Sequence, residues 1–226
     1  YAAKNGHLGV LKHLANTAPN DLQDMIKTDN YAVFRYTAFC HAAKNGHLAV
    51  LEYIEEKVTP KESLQIMIKI NAYETFRNIA KNGHIDILEY MMKKAPNDVQ
   101  DMIEADDYAA FRYAAKNGHL AVLQCLEKNV SKEKLQTMIK ADNYAAFSNA
   151  AANGHLAVLQ YLAEKILPQE HLQNMIKVHD YTAFRDAASN GHLAVLQYLE
   201  EKTLSQEHLQ NMIKVHDYTA FRDAAS

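Results

Sequence analysis

The chain has 226 residues, a formal net charge of −3 and nearly half of its residues apolar. There is ample material for a core, but no basic excess of the kind a nucleic-acid binder carries and no apolar run of the ~18 residues that span a bilayer. Two cysteines, Cys40 and Cys125, speak against a disulfide framework and for a reducing compartment.

The triplet Asn-Gly-His opens at Asn5, Asn45, Asn82, Asn117, Asn153 and Asn190, with gaps of 40, 37, 35, 36 and 37 residues. Self-similarity at this period marks a solenoid of about six units. The chain starts inside a unit, since Tyr1-Ala2-Ala3-Lys4-Asn5-Gly6-His7 equals residues 113–119. It closes inside one, where residues 206–226 repeat residues 169–189 without a difference. Neither end has a polar cap, so the expectation is a single solenoid over residues 1–226, cut from a longer protein.

Residues 107–141 serve as the type unit. Asp107 is the expected N-cap of a first helix, as are Asn30, Asn143, Asp180 and Asp217 in other copies. Tyr108, Phe111, Ala114 and Ala115 lie on one helical face. Asn117-Gly118 ends the helix, with glycine in the left-handed C′ conformation. A second helix starts near His119 and turns Leu120, Val122, Leu123 and Leu126 inward, making an antiparallel hairpin.

A third helix follows, with the core triad Leu135, Met138 and Ile139. The same phase holds Leu22/Met25/Ile26, Leu64/Met67/Ile68, Val99/Met102/Ile103, Leu172/Met175/Ile176 and Leu209/Met212/Ile213. Thr59-Pro60-Lys61-Glu62 reads as a capping box with proline at N1. The Gln at the phase of Gln136 and Gln173 is expected to hydrogen-bond a loop or the next repeat. The second copy carries five extra residues around Phe34, read as a lengthened first helix or as a bulge that exposes Phe34. Each unit is thus three short helices, and one unit buries too little to offset the ordering of its backbone, so stacking supplies the rest.

Asn-Gly-His-Leu-x-Val-Leu-x-x-Leu, preceded by two alanines as at Ala114 and Ala115, resembles the ankyrin repeat. The resemblance covers about half of each unit along the whole chain. Tyr-x-x-Phe-Arg replaces that family's Thr-Pro-Leu-His opening, and the Leu-Gln-x-Met-Ile helix stands in place of its β-hairpin finger. The implied fold is all-α, an ankyrin-like helical-repeat solenoid. The implied function is protein binding through a concave face lined by the first helices. Near-identical tandem units resemble arrays in secreted effectors of intracellular bacteria and in some protist and giant-virus proteins.

Copies inside one chain separate scaffold from surface, because exposed positions that vary are free to specialise. The outward first-helix positions read Thr37, Cys40, His41, Lys44; then Glu74, Arg77, Asn78, Lys81; then Ala109, Arg112, Tyr113, Lys116; then Ala145, Ser148, Asn149, Ala152; and last Thr182, Arg185, Asp186, Ser189. Arg77, Arg112 and Arg185 form a broken basic ladder for an acidic protein surface, with Tyr113 as aromatic anchor. The competing reading pairs each arginine with a neighbouring carboxylate.

Triplet histidines one repeat apart are about 8–10 Å from one another, too far to share a zinc ion, so no metal and no cofactor is expected. No nucleophile–base set and no Gly-rich phosphate loop stands out. The reading is a monomeric, non-enzymatic interaction or scaffold module, with no nucleic-acid or membrane partner. It is placed in the cytoplasm, or in the host cytosol for a bacterial effector. The alternative is the recognition segment of a multidomain enzyme or secreted effector whose catalytic domain lies outside these residues.

Overall fold

The computed structural model describes residues 1–18, 32–57, 72–166, 170–203, 206 and 210–211. These fall into two compact units, Tyr1–Ala105 and Asp106–Ser226. Among the described residues every regular element is helical, and no helix is long and apolar enough to cross a membrane.

The first unit holds α1 (Leu8–Thr17), α2 (Ala32–Lys44), α3 (Leu48–Lys57), α4 (Ala72–Asn82) and α5 (Ile85–Lys94). A 3-10 turn, Pro96–Asp98, then leads into α6 (Val99–Lys116), which ends in the second unit. There follow α7 (Leu120–Glu127), α8 (Lys132–Ala152), α9 (Leu156–Lys165), α10 (Glu170–Ser189) and α11 (Leu193–Lys202).

The helical periodicity is realised as packing. Phe39, Phe76, Phe111, Phe147 and Phe184 are all buried, and so are Met102, Met138 and Met175 with the isoleucine that follows each. Paired alanines such as Ala114/Ala115 and Ala150/Ala151 are buried where helices approach closely. Ser131 caps α8, its hydroxyl accepting from the Lys134 amide at 3.2 Å. The triads at Leu22, Leu64 and Leu209, the capping box at Thr59 and the side chains of Phe34 and Asp180 lie outside the described residues, as do Asn30 and Asp217. The backbone of α2 is helical from Ala32 to Lys44, so the extra residues of the second copy lengthen the first helix.

Two expectations are corrected. Asp107 is not an N-cap: Asp106, Asp107 and Tyr108 have φ of 51°, 53° and 59°. The same left-handed segment recurs at Asp142, Asn143 and Tyr144 (49°, 50° and 61°), and at His179 and Tyr181 (49° and 60°). Each segment joins the third helix of one copy to the first helix of the next, where an N-cap would need extended backbone. Asp and Asn tolerate this conformation better than most residues, whereas tyrosine does not. Tyr108 and Tyr181 hold it with their rings buried, so packing offsets local strain. Ala109, expected to face outward, is buried, whereas Ala145 and Thr182 at the same phase are half-buried.

Candidate functional site

The geometry that repeats is the join between copies. At the end of each first helix the chain closes a Schellman motif: in the fourth copy the Gly118 amide donates to Ala115 O at 3.2 Å and the His119 amide to Ala114 O at 2.9 Å. Gly118 has a φ of +77°. The glycine is required a second time, because the next copy's histidine packs on it. A Cβ built at Gly6 comes within 2.7 Å of His47 Nδ1, one at Gly46 within 2.8 Å of His84 Cε1, and one at Gly154 within 2.7 Å of His192 Nδ1.

These rings are held by hydrogen bonds to the preceding copy. His47 Nε2 donates to Lys4 O at 3.0 Å, His84 Nε2 to Lys44 O at 3.1 Å and His192 Nε2 to Ala152 O at 3.2 Å. Each acceptor is a carbonyl at the end of a first helix, which has no partner inside its own helix. Asparagine completes the cap: Asn82 Nδ2 donates to Lys44 O at 2.8 Å, and Asn190 Nδ2 to Ala152 O at 3.0 Å and to Asp186 O at 2.9 Å. The Asn-Gly-His triplet is therefore the splice between units.

Glutamine does the same on the opposite side. Gln136 Nε2 donates to Lys165 O and Gln173 Nε2 to Lys202 O, each at 2.8 Å, capping the second helix of the next copy. This is the role expected for that column.

A second set of polar contacts links the second helices. Tyr161 Oη donates to Glu127 Oε2 at 2.8 Å, Lys165 Nζ meets Glu127 Oε1 at 2.8 Å, and the same ammonium lies 5.6 Å from the Tyr161 ring centroid. Tyr90, Glu55 and Lys94 repeat the set one step apart in the first unit. Burial, then the bond to the carboxylate, pushes the phenols of Tyr90 and Tyr161 far above their ordinary values. For Glu127, burial is outweighed by the bonds from Lys165 and Tyr161, and its carboxyl is held low. Sequence reading overlooked these sets. Their trace is Tyr with Lys four residues later and Glu some 35 residues earlier, a pattern visible only once neighbouring copies are superposed.

The outward residues divide as follows. In the first unit Glu74 and Lys81 are exposed on α4, and Arg77 and Asn78 are half-buried. In the second unit Tyr113 is 40% exposed and Lys116 is exposed on α6. Ser148 and Asn149 on α8, and Arg185 and Asp186 on α10, are half-buried. The arginines are not equivalent. Arg112 turns back on its own chain: Nε donates to Asp107 O at 2.9 Å and Nη2 to Asp106 O at 2.8 Å, while Nη1 reaches Asp142 Oδ2 of the next copy at 2.5 Å. Its side chain is only 18% exposed. It thus ties one left-handed segment to the next. Arg185 makes looser contacts, to Thr182 Oγ1 at 3.2 Å and Asp186 Oδ1 at 3.5 Å, and Ser148 stands at this phase between the two. Neither Cys40 nor Cys125 is in a disulfide; Thr75 donates to Cys40 Sγ at 3.2 Å.

These features define a helical-repeat protein that is spliced copy to copy by main-chain caps and varies along its first-helix face. Residues 113–210 match the family model described as ankyrin repeats, in three copies. An X-ray structure of an ankyrin repeat family protein from Legionella pneumophila is similar to it at a TM-score of 0.50 and 22% identity, over 83% of this chain and 71% of that one. Comparison with curated protein sequences gives no match. Residues 113–210 thus carry ankyrin repeats, and the likeness to the solved structure supports an all-α helical-repeat fold. Ankyrin repeats are generally protein–protein interaction modules, and their fold is typically non-catalytic.

Proposed function

We propose that the chain is a non-enzymatic interaction module that receives a partner protein on the outward face of its first helices and acts as a monomer. The carrying observation is Tyr113: a large aromatic side chain left 40% exposed on a face whose next copy offers only Ser148 and Asn149. Tyrosine is among the residue types that most often carry interface energy. Lys116, Arg185 and Asp186 extend that surface in the second unit, and Glu74, Arg77, Asn78 and Lys81 supply its counterpart in the first. The partner offers an acidic surface. The cytosol, or a host cytosol for a secreted effector, is the setting this reading favours.

The test is affinity capture from lysate with cross-linking and mass spectrometry, run with the native chain and with a Tyr113→Ala, Asn149→Ala variant of equal helicity by circular dichroism. A protein cross-linked to the first helices of the native chain and lost with the variant supports the reading. Equal capture by both removes Tyr113 and Asn149 from the interface. Arg112 is unsuited to this test because its guanidinium holds the fold.

A further inference from the structure

The outward first-helix positions that Tyr1–Lys4 and the second copy supply are basic or neutral. They read Tyr1, Lys4, Thr37, Cys40, His41 and Lys44. An open cavity of about 330 Å³ lies among them, lined by Lys4, Thr37 and His41 with Tyr1, Ala3 and Ala38. Lys4 and Lys44 are exposed, and neither ammonium has an ion-pair partner among the described residues.

A lysine in the last turn of a helix ordinarily serves the terminal carbonyls and the helix dipole. Here those carbonyls are already taken. Lys4 O accepts from His47, and Lys44 O accepts from both His84 and Asn82. The ammonium groups are surplus to the scaffold. His41 Nδ1 lies 2.8 Å from Thr37 O and so carries the proton of that bond, which leaves Nε2 as the remaining polar atom of a ring that lines the cavity.

We propose that this cavity, with Lys4 on its wall, and Lys44 of the next copy together seat an acidic peptide segment of a partner protein, one carboxylate entering beside Lys4 and His41 and a second meeting Lys44. The proposal rests on the reading of the first-helix face as a protein-binding surface, and it names the chemistry of one part of it. Neighbouring copies stand about 10 Å apart, the length of about three residues of extended chain. The matching segment is Glu-x-x-Glu in polyproline II conformation, whose three residues per turn and rise of about 3.1 Å put both carboxylates on one side about 9 Å apart. Attraction of this kind acts mainly on encounter rate and specificity and weakens with salt.

The experiment uses the full chain and two fluorescein-labelled peptides, one with glutamate at every third position in a Gly/Ser background and one with glutamine in its place. Fluorescence anisotropy is read at low and at physiological salt. The native chain is expected to bind the glutamate peptide at least about tenfold tighter than the glutamine peptide, with affinity falling as salt rises. The Lys4→Glu, Lys44→Glu variant should lose about tenfold or more of that affinity while its helicity is unchanged, since neither ammonium has an ion-pair partner among the described residues. The proposal is overturned if both peptides bind alike, if the variant binds the glutamate peptide as the native chain does, or if a single-stranded oligonucleotide binds more tightly than the glutamate peptide. Should the lysine variant prove silent while Tyr113→Ala, Asn149→Ala still abolishes partner capture, only the lysine site falls. Should the peptide depend on the lysines while no capture depends on Tyr113, it is the Tyr113 face that falls.

Discussion

The imidazole of His155 occupies the space into which a side chain at Gly118 would project: a Cβ built there comes 2.6 Å from Nδ1. With a φ of +77° at the same residue, Gly118 answers two demands at once. Three glycines separate them. Gly191 has a φ of +74° and nothing within 4 Å, and Gly9 is helical with nothing within 4 Å. Urea denaturation should find Gly9→Ala stabilising by about 0.5–1 kcal/mol and Gly191→Ala destabilising by about 1 kcal/mol. Gly118→Ala should cost about 2–4 kcal/mol, because strain and a displaced ring add. Equal losses at Gly118 and Gly191 would mean that the ring is not held there.

Arg112 should behave as a structural residue. Arg112→Lys keeps the charge but cannot serve two carbonyls and a carboxylate from one planar fork, so we expect a loss of about 2 kcal/mol. Arg185→Lys, with weaker and more exposed contacts, should change stability by no more than about 0.5 kcal/mol. Thermal or urea melts of the two variants make the comparison, and similar losses would discard the assignment of Arg112 to the left-handed segments.

Tyr161 and Glu127 are predicted to couple across copies. A double-mutant cycle with Tyr161→Phe and Glu127→Gln should give an interaction energy of about 1 kcal/mol. Because burial and the carboxylate both oppose ionisation, Tyr161 should be among the last phenols to titrate in an alkaline ultraviolet titration, and Glu127→Gln should bring it earlier. A cycle that closes to zero would make the contact incidental.

Acid should loosen the splice at His155. Burial lowers its pKa; the bond to the Lys116 carbonyl opposes that, and the flanking His119 and His192 add to it. The folded chain therefore binds the proton less readily than the unfolded one, whose histidine titrates near 6.5. The contribution to stability is whole above about pH 6.5 and is lost as pH falls below it. Urea midpoints at about pH 7.5 and about pH 5.5 check this, in the native chain and in His155→Gln. The native chain should lose more between the two. An equal drop in the variant would place the acid sensitivity elsewhere.

Much of this was legible before any coordinates. The Leu135/Met138/Ile139 triad, the Phe111/Ala114/Ala115 face and the Asn-Gly stop depend on which side chains recur every three or four residues and on a glycine that takes positive φ, and the structure places them as read, while Tyr108 is buried from the left-handed segment ahead of the helix. The Asp107 cap was misread because Asp serves both N-caps and left-handed turns, and local sequence does not choose between them. The choice is made by burial of the Tyr108 ring and by Arg112 reaching back to the Asp106 and Asp107 carbonyls.

The period of the triplet, the helical class and most of the buried face of the described helices were set by the sequence, because hydrophobic periodicity is a local property repeated six times; Ala109, buried, and Leu193, 65% exposed, are among the exceptions. The tertiary structure alone decided which polar groups are committed and which are left over. His47 meets a carbonyl 43 residues away and Gln136 one 29 residues away, while Arg112 is consumed inside the fold and Lys4 and Lys44 are not. Hydrogen bonds between copies exist only once stacking sets their register. What remains for a partner is whatever the stack has not already used.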